Sequence, residues 1–571
     1  MEKGEDTRIS AEHLESQDAH SNESRQPAAT SLIAQMTEEH KNYVLKRHKT
    51  LDLDPMPSAD PNEPYNWPRW KSRINLFLIA FHALMIGFVA GSPIPAFSAF
   101  ANDFDVSIDA AAYIVSIQAR LSTPPRDFDP QVAVLGVAPL FWRPLSERFG
   151  RRPMWLISTL LCMVCSIGCA CCTTYGQMLA VRAFQAFFNA PAGAVGPAVV
   201  VELFFANERG QKLPGCDDCC LTSIGNLDVS WLRISLKNHA LLTQMDRMTV
   251  SWSLWGMPHI SHHLHTILML GRNPLGPLLM GFVAVRVGWR WIFWIMAMLN
   301  GAQFIGYLLF SPETRYVRHI DKSVSATRPA GVRKYLTFGK IPGSQPLRLR
   351  DFWLPFTSLA KTSVNTTALA HMVIFCFCSV LVCIEIPALL GAKFNLNFEA
   401  IGLNFIPLMI GNVIGEIASG PLSDWWQNRA VQNGIQPLPE RRLWLFYPAL
   451  GFCFAGITVF LVTLDQATEG KWNIRPDIGL ALAGLGNQMS TTILFTYAVD
   501  KNPTHSGEVG VILVLVRQIW SFIGPFWFPV MFRSIGLRGS AALCCGLMAV
   551  FSGFVVAGQH ILGRRHAKQR F

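Results

Sequence analysis

Five side chains with the chemistry of charge or proton handling stand inside stretches that are otherwise apolar: Arg182, Gln185, Glu385, Glu416 and Arg517. Arg182 and Gln185 are three positions apart, so a helix sets them on one face. Glu385 precedes Pro387 by two residues, and Glu416 lies one turn before Gly420. Arg517 opens a run that continues through Trp520, Phe522, Phe526, Trp527 and Phe528. Polar groups held at membrane depth are costly, and they mark a substrate path, a proton relay or a paired structural contact. Arg182 with Gln185 suits substrate or proton coupling, and the alternative is a structural pair with a neighbouring helix. A carboxylate such as Glu385 or Glu416 can take up and release a proton, and the alternative for Glu385 is a solvated interfacial acid. Arg517 suits counter-charge to an acid better than direct substrate contact. His82 and His371 are lone histidines that fit a satisfied core better than a titrating switch.

These residues need membrane-spanning helices to hold them, and the composition calls for such helices. Only 15% of the residues are charged, against about 25% in ordinary soluble proteins. Aromatic usage is 38 Phe and 17 Trp against 9 Tyr. An ordinary soluble enzyme is excluded on this basis. No phosphate loop or nucleotide motif is visible, so no enzyme and no ATP-driven pump is expected. The net charge of +11 does not indicate nucleic-acid binding, because the basic residues sit in short clusters between apolar runs. A span needs about 20 apolar residues. The runs that qualify are 74–96, 108–142 (interrupted), 153–172, 176–201, 264–285, 289–310, 364–386, 398–420, 443–464, 477–498, 508–532 and 540–562, twelve in all.

Lys and Arg are retained on the cytoplasmic side. Arg69, Lys71 and Arg73 precede the first span, and Arg148, Arg151 and Arg152 follow the second. Arg209 and Lys212 follow the fourth, Arg429, Arg441 and Arg442 follow the eighth, and Arg564 and Arg565 lie near the C-terminus. If every run crosses, all these clusters fall on one side and both termini are cytoplasmic. The expected organisation is a disordered cytoplasmic tail over 1–73 and a six-helix bundle over 74–310. A basic central loop over 311–352, a second bundle over 353–562 and a short tail over 563–571 follow. The halves echo each other: Pro144-Leu145-Ser146-Glu147 ends span two, and Pro421-Leu422-Ser423-Asp424 ends span eight. Ile94-Pro95-Ala96 and Ile386-Pro387-Ala388 repeat likewise after spans one and seven. Repeats of this kind place a substrate site between the halves near the midplane.

The segment Pro144-Leu145-Ser146-Glu147-Arg148-Phe149-Gly150-Arg151-Arg152 resembles the signature loop of the major facilitator superfamily. Glu147 stands where that family has Asp, and Arg143 where it has the first Gly. Arg182-Ala183-Phe184-Gln185 and Pro312-Glu313-Thr314-Arg315 resemble further elements of that family. Gly276-Pro277-Leu278-Leu279-Met280-Gly281 is similar to the helix element of its proton-coupled antiporters. Tyr497-Ala498-Val499-Asp500 and Arg517-Gln518-Ile519-Trp520 look like the fungal twelve-span drug:proton antiporter branch. The resemblance implies an all-α membrane protein of two pseudo-symmetric six-helix bundles. It implies a cytoplasmic gating loop formed by Glu147, Arg148, Gly150, Arg151 and Arg152, with Asp424 as the counterpart in the second half. It implies an antiporter-like element at Gly276, Pro277 and Gly281.

Two segments fit neither the spans nor the resemblance. Residues 119–131 put two Arg, two Asp and three Pro inside the second run, where each charge costs about 2.5–3.5 kcal/mol at the bilayer centre. They leave an apolar remnant over 132–145. Residues 213–260 lengthen a loop that the resemblance makes short. The nearby Cys216, Cys219, Cys220, His259, His262, His263 and His265 are zinc-ligand types in a spacing that matches no usual zinc module, and no metal is assigned. Both segments read as translated introns, and the alternative is that they are genuine insertions. The expected function is export of a small organic compound by a monomer in the plasma membrane, powered by the proton gradient with no cofactor. The alternatives are a proton-coupled importer of polyamines or other organic cations, and a non-transporting receptor.

Overall fold

The computed structural model describes residues 37–48, 53, 56–60, 63–106, 131–203, 274–316, 347–432, 438–502 and 506–569. Every regular element among them is helical. A short helix α1 (Glu38–His48) precedes the first half, which comprises α2 (Arg69–Gly91), α3 (Gln131–Phe149), α4 (Arg151–Cys171), α5 (Tyr175–Asn189), α6 (Pro191–Leu203), α7 (Leu275–Arg286) and α8 (Arg290–Phe310). The second half comprises α9 (Thr362–Phe394), α10 (Phe398–Leu403), α11 (Phe405–Gln432), α12 (Phe446–Gln466), α13 (Arg475–Asp500), α14 (Ser506–Met548) and α15 (Val555–Gln569).

Each apolar run read from the sequence carries helix over all or part of its length. By length and apolar content alone, eight helical stretches among the described residues can cross a membrane. The difference from twelve has several sources, one being that only the described residues are counted. Helix α3 contains Arg143, Glu147 and Arg148, which dilute its apolar face. The fourth run breaks at Ala190 because Pro191 starts a new helix without an N–H to offer, leaving pieces of 15 and 13 residues. The described helix in the fifth run has 12 residues. The last two runs are two helices that meet within α14 at Gly536, whose φ of 70° is non-helical, and they count together as one of the eight stretches. Helix α9 widens into π turns at Cys376–Leu381 and Ile386–Gly391, the second starting at Glu385 and Pro387.

Two expectations change here. The remnant of the second run is longer than 132–145: α3 runs for 19 residues from Gln131, through Pro139 and Pro144, to Phe149. At 1.5 Å per residue that helix is about 28 Å long, close to the hydrocarbon thickness. The inserted charges at 119–130, and all of 213–260, lie outside the described residues. The tail expected to be disordered is ordered in part. Asn66 Nδ2 donates to the carbonyls of Ser58 and Asp60 at 2.7 and 2.9 Å. Arg47 of α1 donates to the Asn66 carbonyl at 2.8 Å. Tyr316 Oη, beyond α8, reaches Asp60 Oδ2 at 3.1 Å. Backbone polar groups that find such partners need no long apolar run to hold them.

The second half is knit through glycines. A Cβ on Gly411 of α11 would fall on the Ala481 carbonyl of α13, and one on Gly456 of α12 would fall on the Ala483 backbone. Small residues of this kind let helix backbones approach closely where no hydrophobic drive separates protein from lipid. The apolar core continues through Phe446, Phe460, Leu480 and Leu494, all buried. Gly411→Val should therefore force α11 and α13 apart at a cost of roughly 1–3 kcal/mol or more. Detergent-stable monomer should fall well below wild type in gel filtration, whereas Gly558→Ala, at an open position, should leave it unchanged.

Candidate functional site

The signature loop is built around two buried guanidinium groups. Gly150 takes a φ of 97°, a conformation that favours glycine, and a Cβ there would fall on the Glu313 carboxylate. That carboxylate crosses from the end of α8 to cap α4. Its two oxygens accept the Arg151 and Arg152 backbone N–H groups at 2.8 and 3.1 Å, and one also accepts from the Arg315 N–H at 2.9 Å. The first N–H groups of a helix have no partner inside it, so a distant acid supplies what the loop itself does not. The Arg151 side chain, 3% exposed, donates to Ser146 Oγ at 2.6 Å and to Glu202 Oε1 at 3.0 Å. Glu202 also receives Thr314 Oγ1 at 3.0 Å. Arg152 donates to the Leu308 carbonyl at 2.9 Å. Arg148 lies over the Phe149 ring at 5.6 Å.

The second half repeats this bracket. Arg442 Nη1 donates to Ser423 Oγ at 2.6 Å, and its Nε lies 2.8 Å from Asp500 Oδ2. Ser146 and Ser423 occupy the same place in the two Pro-Leu-Ser echoes. Glu202 ends α6 as Asp500 ends α13. Ser423, Arg442 and Asp500 were legible only as the echo and as branch motifs, not as a bonded set. Asp424 is on α11, and its side chain lies outside the described residues. Nearby, Lys501 pairs with the buried Glu440.

The antiporter-like element lies between the halves. The Gly276 face of α7 meets the Phe88 carbonyl and Ser92 of the first helix, where a Cβ would sit 2.8 Å from that carbonyl oxygen. A Cβ on Gly281 would sit 2.6 Å from the Phe398 carbonyl, and one on Gly402 of α10 would sit 3.0 Å from the Pro277 carbonyl. Backbone thus touches backbone across the halves. Arg286 and Glu399 lie 3.7 Å apart beside this contact, the arginine exposed and the glutamate partly so, so the pair adds little.

Arg182 is fully buried and donates to Gln185 Oε1 at 2.7 Å and to the Val89 carbonyl at 3.1 Å. Gln185 Nε2 donates to Ser166 Oγ at 2.7 Å. Glu416, 2% exposed, accepts from Gln488 Nε2 of α13. Arg517 stacks over the Phe375 ring at 4.3 Å, beside His371, which meets Thr491 Oγ1 at 3.1 Å. Glu385 is buried in α9 at the second π turn. His82 packs edge-on against Trp155 and beside Tyr307. Phe377 packs against Trp527 and Phe528, so those two aromatics fill core.

Burial pushes the Glu313 carboxyl up from its ordinary range, and the nearby Glu202 charge adds to that, against the three backbone donors that pull it down. The folded state therefore holds this proton more readily than the unfolded chain. The stabilisation linked to it is fully present below the unfolded-chain value and is lost as pH rises through the folded one. The melting-temperature advantage of wild type over Glu313→Gln should accordingly shrink as pH rises across that window. Glu313→Ala, which orphans two buried N–H groups, should cost about 1–3 kcal/mol more than Glu313→Gln at every pH.

Comparison with known proteins bears on the whole chain. The family model described as Major Facilitator Superfamily matches residues 78–213 and 264–525. An uncharacterized transporter of Schizosaccharomyces pombe is 23% identical over 86% of this chain and 90% of its own length. The efflux pump vrtL of Penicillium aethiopicum is 23% identical over 90% of each. The efflux pump radE of Floropilus chiversii is 22% identical over 86% of this chain and 81% of its own. A crystal structure of the human organic anion transporter MFSD10 superposes at a TM-score of 0.49 and 13% identity, over 86% of this chain and 100% of that one. The model's gap at 214–263 overlaps the segment that resisted every reading of the spans. With the family model covering more than half of the chain, this multi-pass membrane protein belongs to the Major Facilitator Superfamily.

Proposed function

We propose that this transporter exports small organic compounds by alternating access, driven by proton entry, as a monomer in the plasma membrane with both termini cytoplasmic. The observation that carries the proton coupling is Glu416, an acid buried in α11 and hydrogen-bonded to Gln488 of α13. It sits among glycines that hold α11 against α13, so a change in its charge acts on a helix contact. Gly415, its neighbour, would bring a Cβ to 2.8 Å of the Leu485 carbonyl. Export is supported by the names of two relatives, both efflux pumps, and by the Gly276–Gly281 element between the halves. Arg182, fixed to α2 through the Val89 carbonyl and to α4 through Gln185 and Ser166, is the polar anchor of the first half. The basic clusters between the spans support a cytoplasmic position for the signature loop.

Export from cells lacking other pumps should collapse when a protonophore is added at constant ATP, and persistence would contradict proton coupling. Glu416→Gln should abolish the dependence on the gradient while leaving abundance intact. Arg182→Ala should lower export by about tenfold or more, equivalent to roughly 1.4 kcal/mol. Normal export by a well-expressed Arg182→Ala protein would remove that residue from the mechanism.

A further inference from the structure

Span eight leaves its Pro-Leu-Ser turn differently from span two. After Ser146 the first half has Glu147, Arg148 and Phe149; after Ser423 the second has Asp424, Trp425 and Trp426. The residue before the bracket arginine differs as well: Gly150 precedes Arg151, and Arg441 precedes Arg442. Two indoles and a cation thus stand where the bracket does not require them. Gln427 of α11 donates to the Leu438 carbonyl at 3.2 Å, and the Arg441 N–H donates to the same oxygen at 3.1 Å. These bonds pin the 3₁₀ turn Pro439–Leu445 against α11. Residues three apart eclipse in such a turn. Arg442 and Leu445 are buried on one side, so Arg441 is turned to another with Trp444, which is 45% exposed. The Arg441 guanidinium lies over the Trp426 ring at 5.9 Å, and Arg429 lies over the Trp425 ring at 5.2 Å. The two indoles are 6.1 Å apart, and Trp425 is 48% exposed. Arg442 is answered by Ser423 and Asp500, whereas neither Arg441 nor Arg429 has an ion pair among the described residues. Arg441 Nε and Trp426 Nε1 are both buried without a hydrogen-bond partner among the described residues. Both atoms can only donate, so the pair calls for an acceptor from outside.

We propose that Arg441 and Trp426 hold the phosphate of an anionic phospholipid, with Trp425 and Trp444 at its glycerol level and Arg429 as a second positive charge. A phosphate diester offers acceptor oxygens to both donors and the negative charge that Arg441 lacks. Exposed indoles sit at the depth where headgroups meet acyl chains. A lipid brings its phosphate to that depth, which a free anion does not. Clustered cations beside a span favour anionic over zwitterionic lipid. A ligand that binds only the folded chain stabilises it as occupancy rises. The site needs only a bilayer, so it is independent of transport direction and of proton coupling.

The test uses the full chain in neutral detergent and titrates phosphatidylglycerol, phosphatidylcholine or inorganic phosphate. Melting temperature and the number of bound lipids in native mass spectra are the readouts. Phosphatidylglycerol should raise the melting temperature and stay bound at concentrations where phosphatidylcholine does neither, and inorganic phosphate should leave the melting temperature unchanged. Arg441→Gln should raise the half-saturating phosphatidylglycerol concentration about fivefold, the size of one basic residue near a headgroup. Trp426→Phe, which keeps a ring and loses the N–H, should raise it about threefold. Arg475→Gln removes an exposed arginine at the opposite end of α13 and should leave it unchanged. Equal shifts with phosphatidylcholine, or equal half-saturation in the parent, Arg441→Gln and Trp426→Phe, would overturn the site. A loss in Arg475→Gln as large as in Arg441→Gln would reduce the effect to net charge and overturn it too. An equal shift with inorganic phosphate would overturn the lipid as occupant. Should Arg441→Gln lose detergent-stable monomer, Trp426→Phe decides the matter.

Discussion

A guanidinium buried at the start of a helix keeps its charge, so its surroundings must supply acceptors from several directions. Arg151 and Arg442 impose that demand, one in each half. The solutions match: a serine from the Pro-Leu-Ser turn and an acid from the end of another helix. Each bracket ties three helices of one half into a unit, since its serine, arginine and acid come from different elements. Glu313 adds a further tie in the first half by capping α4 from the end of α8. Breaking any one member leaves a charge or a donor buried without a partner, which costs more than the contact contributes when intact.

Much of this was legible in the residues. Apolar run length located helix in every expected span, because a chain in lipid must satisfy its backbone within each segment. The echo of Pro144-Leu145-Ser146 in Pro421-Leu422-Ser423 pointed to a repeat, and its serines proved to be equivalent acceptors. Continuity was less legible. Run length alone does not reveal that Pro191 splits the fourth run. The ordered part of the tail was hidden because Asn66 and Glu63 hold it through polar bonds rather than apolar burial. Glu313 and Glu508 were missed as partners because their contacts span long sequence separations, 162 residues for Glu313 and Arg151. Among the embedded residues, Arg182 and Gln185 share a face and a bond.

The two ends of the inter-half contact differ in chemistry. Toward Gly281 and Gly402 it is backbone against backbone, with close approach and no buried charge. At the signature loop it is Arg143 with Glu508 over an apolar cluster. A glycine contact responds to shape, and an ion pair responds to charge. The inter-half contact thus has two parts that answer to different influences.

The central claim is that each bracket binds its own half into a rigid unit while the halves move against each other. Pulsed electron resonance tests it with one spin-label pair within the first half, across the Arg151 bracket, and a second pair spanning α3 and α14 at the signature-loop end. Both are measured in lipid at low and high pH. The account predicts that the first distance stays fixed while the second changes between the two conditions. A first distance that changes as much as the second would contradict it.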